Sequence, residues 1–405
     1  MTKDIAAERP LFVLPADPLG PRRTDPRFAG EAGAARAAGA AVALIGVEEL
    51  LSGDAEGAVA RVPRGTGPAW YRGRMLPAAR YAELAAALEA RGRTLVTSPA
   101  AYRTAHELPG GDGMFRGAVT PAGGAVLRAC EPFGAGEARV WWVAGEPVLT
   151  CARPDTPEPL PVPVPDLTSV APTVAALGLP FVTTDLARRS DGGWRVVEVG
   201  DGQVSGLPAE AVAGPLFEAL VTVGAGFPLT LAAGRVALRA LLPSAAARVA
   251  DGEGAGFDWI DGAPSDDTSG GAGIVVAAAV AGRHRPGWGV FVLTDAADGR
   301  ALGSIGFHGP PDADGRVEIG YDLSPSARGA GWATDAARLL AGWAAGRPEV
   351  RTVCATTEPD NVPSQRVLER AGFRPDGMRE ELRAFTYAGP GVVRSSPLPR
   401  CQVSG

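Results

Sequence analysis

A strand, a glycine-punctuated loop and a helix start follow one another between Val317 and Ala344. Val317 to Leu323, VEIGYDL, is rich in apolar and β-branched residues and alternates, so it reads as a strand. Ser324 to Ala327 forms a short loop around Pro325. Arg328-Gly329-Ala330-Gly331-Trp332-Ala333 then sets small residues where a long helical pattern opens. Such a junction leaves unpaired backbone N–H groups aimed at one spot, reinforced by the positive end of the helix dipole. Phosphate binds at places of this kind. The segment therefore predicts a site for a pyrophosphate-bearing cofactor. Its spacing is not the dinucleotide fingerprint G-x-G-x-x-G, and no Gly-Lys-Ser/Thr follows as in a Walker A loop. In a chain with 55 glycines, the same residues also read simply as a small-residue helix start.

The following segment narrows the reading. Val350 to Thr357 is a β-rich run, and Glu358 to Phe373 carries N-x-x-S-x-x-V-L-E-x-x-G-F from Asn361 onward. Upstream, Gly289 to Leu293 and Ala301 to Phe307 look like paired strands joined by the polar turn Asp295 to Gly299. Gly234 to Leu241 looks like an earlier strand. These words, in this order, resemble the GNAT acyltransferases, whose R/Q-x-x-G-x-G/A loop binds the pyrophosphate of coenzyme A. Within the family they are similar to the branch that acetylates ribosomal-protein N-termini and similar amines. The resemblance covers about residues 228–390. It implies a central mixed sheet flanked by helices, acetyl-CoA as cofactor and a small-molecule or peptide amine as acceptor.

The resemblance also assigns roles. Amine acetylation needs an ammonium to lose its proton near a thioester. Glu318, on the strand before the loop, resembles the family's proposed base; it also reads as a residue that merely alternates outward. Backbone N–H groups near Tyr321 and Leu323 would hold the thioester oxygen. Ser364 matches a position where relatives place a proton donor to the departing thiolate, with Tyr321 as the alternative donor. Leu323, Arg328, Gly329, Ala330, Gly331, Trp332, Ala333, Asn361 and Ser364 are the implied coenzyme contacts, Arg328 by charge-assisted bonds. Asn361 and Ser364 serve equally as helix-capping residues.

The whole chain has 405 residues, enough for two or three domains at ~100–200 residues each. Hydrophobic residues make up 46%, enough for real cores, and the formal net charge is -6 without a basic run, which argues against nucleic acid. No apolar stretch reaches the ~18 residues of a membrane span, and the first ten residues have no signal-peptide pattern. Cys130, Cys151, Cys354 and Cys401 form no C-x-x-C pair. The simplest expectation is a cytoplasmic protein with reduced thiols.

In the first half, Leu11 to Leu14, Val42 to Ile45, Trp70-Tyr71 and Thr94 to Thr97 read as strands. They alternate with helical patterns at Ala32 to Ala41 and Tyr81 to Arg91, which argues for a small parallel α/β unit. Four words, DPLGPRRTDPRFAGEA, YRGRML, TLVTSPAAYRTAHELP and VVEVGDGQVSGLP, resemble one branch of the ATP-grasp superfamily. That resemblance, over roughly residues 10–215, implies that Asp185, Glu198 and Asp201 hold Mg²⁺ on the phosphates of ATP if this half is active, with Arg128 and Arg139 as phosphate contacts. The family's nucleotide-gripping subdomain is missing, because Gly110 to Val126 is short, glycine-rich and free of lysine. Where the family usually has tryptophan, Arg74 stands. ATP use is therefore expected to be reduced or lost.

The fold expected is α/β (α+β): an ATP-grasp-like domain over 1–222, a GNAT domain over 228–390 and a disordered tail over 391–405. The boundary is expected in Val221 to Pro228. Asp251 to Gly273 is rich in Gly, Asp and Ser and reads as a cover of the acceptor site, with Phe257 and Trp259 as lining, or as a mobile loop. Pro154 to Pro165 reads as an extended surface loop. Three functions compete: an N-acetyltransferase with a degenerate ATP-grasp partner, a bifunctional enzyme whose first half is an ATP-dependent carboxylate–amine ligase, and a non-catalytic acetyl-CoA or nucleotide sensor.

Overall fold

The computed structural model describes residues 9–107, 118–119, 127–128, 133–152, 164–208 and 212–388. The tail beyond 388, the proline-rich run up to 163 and, apart from Ala118–Val119, the Gly110 to Val126 interval lie outside the described residues. The chain divides into two compact units, one of residues 1–229 with 242–244 and one of residues 230–241 with 245–405.

The first unit opens with β1 (Leu11–Asp17), β2 (Gly20–Thr24), α1 (Ala29–Ala37), β3 (Ala41–Ile45), α2 (Val47–Ser52), α3 (Ala55–Ala58), β4 (Pro68–Tyr71), α4 (Ala78–Glu89), β5 (Thr94–Leu95) and α5 (Pro99–Glu107). β1 pairs in parallel with both β3 and β4, β4 with β5, and β2 folds back antiparallel on β1. The apolar run of β1 is continuous because both of its faces are covered. Leu11 and Val13 join Tyr81, Leu84 and Leu88 of α4 in one core cluster, while Phe12 and Leu14 join Trp70, Leu216 and Phe217 in another. Then come β6 (Ala118–Val119), β7 (Leu127–Arg128), β8 (Phe133–Val143), β9 (Glu146–Ala152), α6 (Ala171–Ala176), β10 (Phe181–Arg189), β11 (Trp194–Asp201) and α7 (Gly214–Gly224). β11, β10, β8 and β9 form an antiparallel sheet in that order.

The second unit holds β12 (Thr230–Ala233), β13 (Val236–Ala240), α8 (Pro243–Ala250), α9 (Asp266–Val280), β14 (Val290–Asp295), β15 (Ala301–Phe307), β16 (Arg316–Leu323), α10 (Trp332–Ala345), β17 (Thr352–Thr357), α11 (Val362–Ala371), β18 (Phe373–Arg379) and β19 (Leu382–Tyr387). Its eight strands run in the order β12-β13-β14-β15-β16-β17-β19-β18. Every neighbouring pair is antiparallel except β16 with β17. Consecutive β16 residues reach opposite layers: Asp322 bonds Ser265, the cap of α9, and Tyr321 bonds Ser364 of α11.

Two expectations need correction. Val221 to Gly224 is the last turn of α7, not linker, and Val221 and Thr222 in it are buried. The Asp251 to Gly273 segment is only partly loop, because α9 begins at Asp266. Ser265 accepts from the Thr268 N–H, and Asp266 and Asp267 sit in the first turn, where a helix favours negative charge.

The first unit also buries an ion pair. Arg72, 1% exposed, donates Nε and Nη2 to Glu31 at 2.7 and 2.6 Å and Nη1 to the Gly202 carbonyl at 2.6 Å. Removing one member of such a pair strands a desolvated charge. Glu31→Ala should therefore destabilise the unit by about 3–5 kcal/mol in chemical denaturation. A loss below about 1 kcal/mol would mean that water reaches the guanidinium.

Candidate active site

The β16–β17 ladder is short. It contains Arg316↔Thr352, Val317↔Val353 and Glu318↔Cys354, and it stops there, although β16 continues to Leu323 and β17 to Thr357. Backbone direction along β16 follows from two bonds. The His308 N–H donates to the Glu318 carbonyl, and the Ser324 N–H to the Leu302 carbonyl. Even-numbered residues thus aim their backbone groups at β15. Ile319, Tyr321 and Leu323 aim theirs at the side from which β17 has diverged.

The strand leads into a loop in which Gly329 (φ 79°) and Gly331 (φ 86°) are left-handed, the conformation that glycine adopts without Cβ strain. Gly331 caps α10 without any side-chain bond. The first-turn N–H groups of α10 are thus left to a ligand or water. An anion fits this end: the loop is open, and a Cβ on Gly329 would meet no atom within 4 Å.

Arg328 braces this junction. Its Nε donates to the Leu323 carbonyl at 2.9 Å, and its Nη2 stands 3.4 Å from Asp322 Oδ1. A second arginine was missed by sequence reasoning. Arg235, in the β12–β13 turn, donates Nη2 to the Ala330 carbonyl at 2.7 Å and Nε to Asp335 Oδ2 at 3.0 Å. Its guanidinium lies 4.0 Å from the centre of the Trp332 ring. The only sequence signal for it was an arginine in a tight turn.

Glu318 and Tyr321 lie on opposite faces of β16 by strand alternation. The Glu318 carboxylate accepts from Thr356 Oγ1 at 2.6 Å, and His308 Nδ1 stands 4.0 Å away. Tyr321 and Ser364 are brought together, with the hydroxyls 2.8 Å apart. Burial, slightly offset by that bond, raises the Tyr321 pKa above its ordinary value, so the phenol stays protonated at neutral pH. Asn361 Oδ1 accepts the Ser364 N–H at 3.1 Å and caps α11.

On the α9 face of the sheet lies a cavity of about 370 Å³. Its floor includes Gly306 and Gly320, a cross-strand pair. A Cβ on Gly306 would stand 2.7 Å from the Gly289 carbonyl, a backbone atom, and one on Gly320 2.8 Å from the movable His308 Nε2, so glycine at 306 keeps this floor. Phe257 and Trp259 do not line the cavity. Trp259 is 3% exposed, within a core cluster with Leu241, Val249 and Val292, and its indole N–H donates to the Gly254 carbonyl. Phe257 packs against Trp259 and that cluster. Aromatic residues in a polar segment suggested a lining, but their apolar rings are drawn to the core instead.

In the first unit, the three acids do not converge. Asp185, 2% exposed, takes a two-pronged bond from Arg139 at 2.7 and 2.8 Å. Asp201 accepts from the Gln203 N–H at 2.8 Å and stands 3.2 Å from His106 Nε2. Glu198 is exposed opposite Asp185 in the ladder. Among the described residues, no three His, Cys, Asp or Glu side chains are grouped to hold a metal ion. The Arg128 side chain lies outside the described residues.

Comparison with known proteins agrees with this division. Residues 70–221 match the model of an ATP-grasp domain family, and residues 237–374 match that of an acetyltransferase (GNAT) domain. The chain is 37% identical over 86 residues to the uncharacterized N-acetyltransferase YjdG of Bacillus subtilis (strain 168), covering 21% of this chain and 51% of that protein. It is 32% identical over 77 residues to the uncharacterized N-acetyltransferase p20 of Bacillus licheniformis, covering 19% and 43%. The match thus spans about half the length of these curated relatives. Among solved structures, an acetyltransferase from Agrobacterium tumefaciens is 26% identical, with a TM-score of 0.29 and coverage of 39% of this chain and 93% of that one. Mycobacterium smegmatis RimJ in complex with CoA-disulfide is 24% identical, with a TM-score of 0.30 and coverage of 40% and 87%. The chain therefore joins a part that belongs to the ATP-grasp domains to a C-terminal part that belongs to the GNAT acetyltransferase domains.

Proposed function

We propose that the C-terminal domain, about residues 228–390, is an acetyl-CoA-dependent N-acetyltransferase that acts on a primary amine by direct attack in a ternary complex. The observation that carries this reading is the open β16 edge leading straight into the uncapped start of α10. Backbone N–H groups of Gly329 to Ala333 and the first turn of α10 would hold a pyrophosphate. Those of Tyr321 and Leu323 point where a thioester oxygen gathers charge. Acetyl-CoA, when bound, supplies the acetyl thioester; a C–N bond forms and the C–S bond breaks.

The remaining chemistry falls to side chains. Glu318 takes the acceptor's ammonium proton, directly or through one water, with Thr356 fixing one carboxylate oxygen. The Tyr321 phenol, paired with Ser364, returns a proton to the thiolate from the other face. Arg328 and Arg235 hold the loop in shape, and Asn361 keeps Ser364 at the start of its helix.

For the N-terminal ATP-grasp-related domain, about residues 1–222, we infer reduced or lost ATP use. The support is the commitment of both Asp185 oxygens to Arg139. Incubation with ATP, Mg²⁺ and a panel of carboxylates and amines should release no ADP above background. Release that depends on an added carboxylate would favour the bifunctional reading.

Calorimetric titration with acetyl-CoA should show one site per chain with micromolar affinity. Gly331→Glu should abolish it, because the side chain and its charge would occupy the anion's place. Gly329→Glu should do the same; both glycines have positive φ, so thermal unfolding of each variant is measured to separate a lost cradle from a misfolded one. Glu318→Gln should retain binding but slow turnover by about 10²–10⁴; an unchanged rate would remove Glu318 from the mechanism. Arg235→Ala should speed amide hydrogen exchange in Ala330 to Ala333 and weaken coenzyme binding about tenfold, the scale of one charge-assisted bond. Exchange at the wild-type rate would show that the loop holds its own shape.

A further inference from the structure

The cavity on the α9 face carries a sorted set of charges. Asp267 and Asp322 belong to its end at the start of α9, where Ser265 donates to Asp322 at 2.5 Å. Arg283, His284 and Arg285 lie in the turn beyond Val280, the last residue of α9, and line the cavity there. They adjoin Gly289 and His308: the His284 ring is 3.8 Å from where a Gly289 Cβ would be, and the Phe307 N–H donates to the Gly289 carbonyl. Between the two ends, Ile274, Val275 and Ala278 of α9 face Trp288 across an apolar stretch.

Arg283 and Arg285 are exposed, and among the described residues neither makes an ion pair with a carboxylate of the chain. His284 is half-buried between the two arginines, and burial lowers its pKa, so it adds an imidazole N–H and no fixed charge at neutral pH. A guanidinium offers parallel N–H donors that match a carboxylate in geometry and charge. The Glu318 carboxylate, 4.0 Å from His308, belongs to the same face of the sheet and to the same end as the arginines, where an ammonium beside a carboxylate would meet it.

We infer that the cavity selects an acceptor that carries an amine, a carboxylate and an apolar side chain: an amino acid or a short peptide with a free C-terminus. The ammonium lies towards Glu318 and the β16–β17 gap, the apolar part against Ile274, Val275 and Trp288, and the carboxylate between Arg283 and Arg285. Amines whose other groups are cationic are disfavoured by the two guanidinium groups. This inference rests on the acetyltransferase reading and adds the acceptor class to it.

The test uses the full-length chain, acetyl-CoA and a panel of apolar amino acids and dipeptides, each beside its C-terminal carboxamide, with thiol release as the readout. In dipeptides the two forms have amines of nearly equal basicity, so the comparison isolates the carboxylate. The free acids should exceed the amides at least tenfold in kcat/KM, mainly through KM. In the doubly substituted Arg283→Ala, Arg285→Ala chain the acid-to-amide ratio should fall to about one, and Arg283→Lys with Arg285→Lys should restore part of it. Equal rates for acids and amides, a preference untouched by the double substitution, or turnover confined to amides and polyamines would overturn the inference, as would no turnover of any carboxylated amine. Calorimetric binding of acetyl-CoA reports separately on the coenzyme site: retained binding leaves that reading standing when the acceptor class fails.

Discussion

The second unit depends on one backbone event, the end of the β16–β17 ladder at Glu318↔Cys354. A parallel pair inside a sheet normally keeps bonding along its length, because an unpaired buried amide costs free energy comparable to a lost hydrogen bond. Here the chain gives up those bonds over Ile319 to Leu323. The strands still have other partners: β16 stays paired to β15 through Leu323, and β17 to β19 through Thr357. Each diverging strand is thus stabilised from its far side, and the gap can persist without unravelling the sheet. What the gap exposes is a set of oriented N–H donors, preorganised by the fold and needing little rearrangement when charge appears beside them.

Strand alternation then distributes the side chains. Because successive residues face opposite layers, Glu318 and Tyr321 cannot share a face. The carboxylate lies on the face of His308, and the phenol turns towards α11 and Ser364. On opposite sides of one strand, each keeps its own environment: Thr356 beside the carboxylate, burial raising the phenol. The register of β16 therefore sets which groups stand on the two sides of the gap.

This part of the molecule was legible in the sequence because it is local. VEIGYDL, the Gly329 and Gly331 turn and the Asn361 to Phe373 word each encode their own geometry within a few residues. Positions set by long-range contact were not. Arg235 lies about a hundred residues before Asp335, and nothing in a Gly-Arg turn announces its hold on the Ala330 carbonyl. Trp259 sits in a polar segment, yet the core claims its ring. The cavity is equally non-local, since α9, the turn after it and three strands all contribute. Its floor rests on Gly306 and Gly320, two glycines with no sequence mark among so many.

The acids of the first unit show the same limit from another side. A carboxylate on a strand near other carboxylates suggests a cation site when only composition and order are known. Whether it is one depends on what the neighbouring strand presents. In β8 the residue opposite Asp185 is Arg139, and a two-pronged guanidinium bond occupies both carboxylate oxygens. The same logic holds for Glu31, whose charge is held by an arginine 41 residues away in the sequence. Inside a protein a carboxylate without a partner is expensive, so folding tends to provide one. In this unit Arg139 holds Asp185 across neighbouring strands, and Arg72 holds Glu31 of α1.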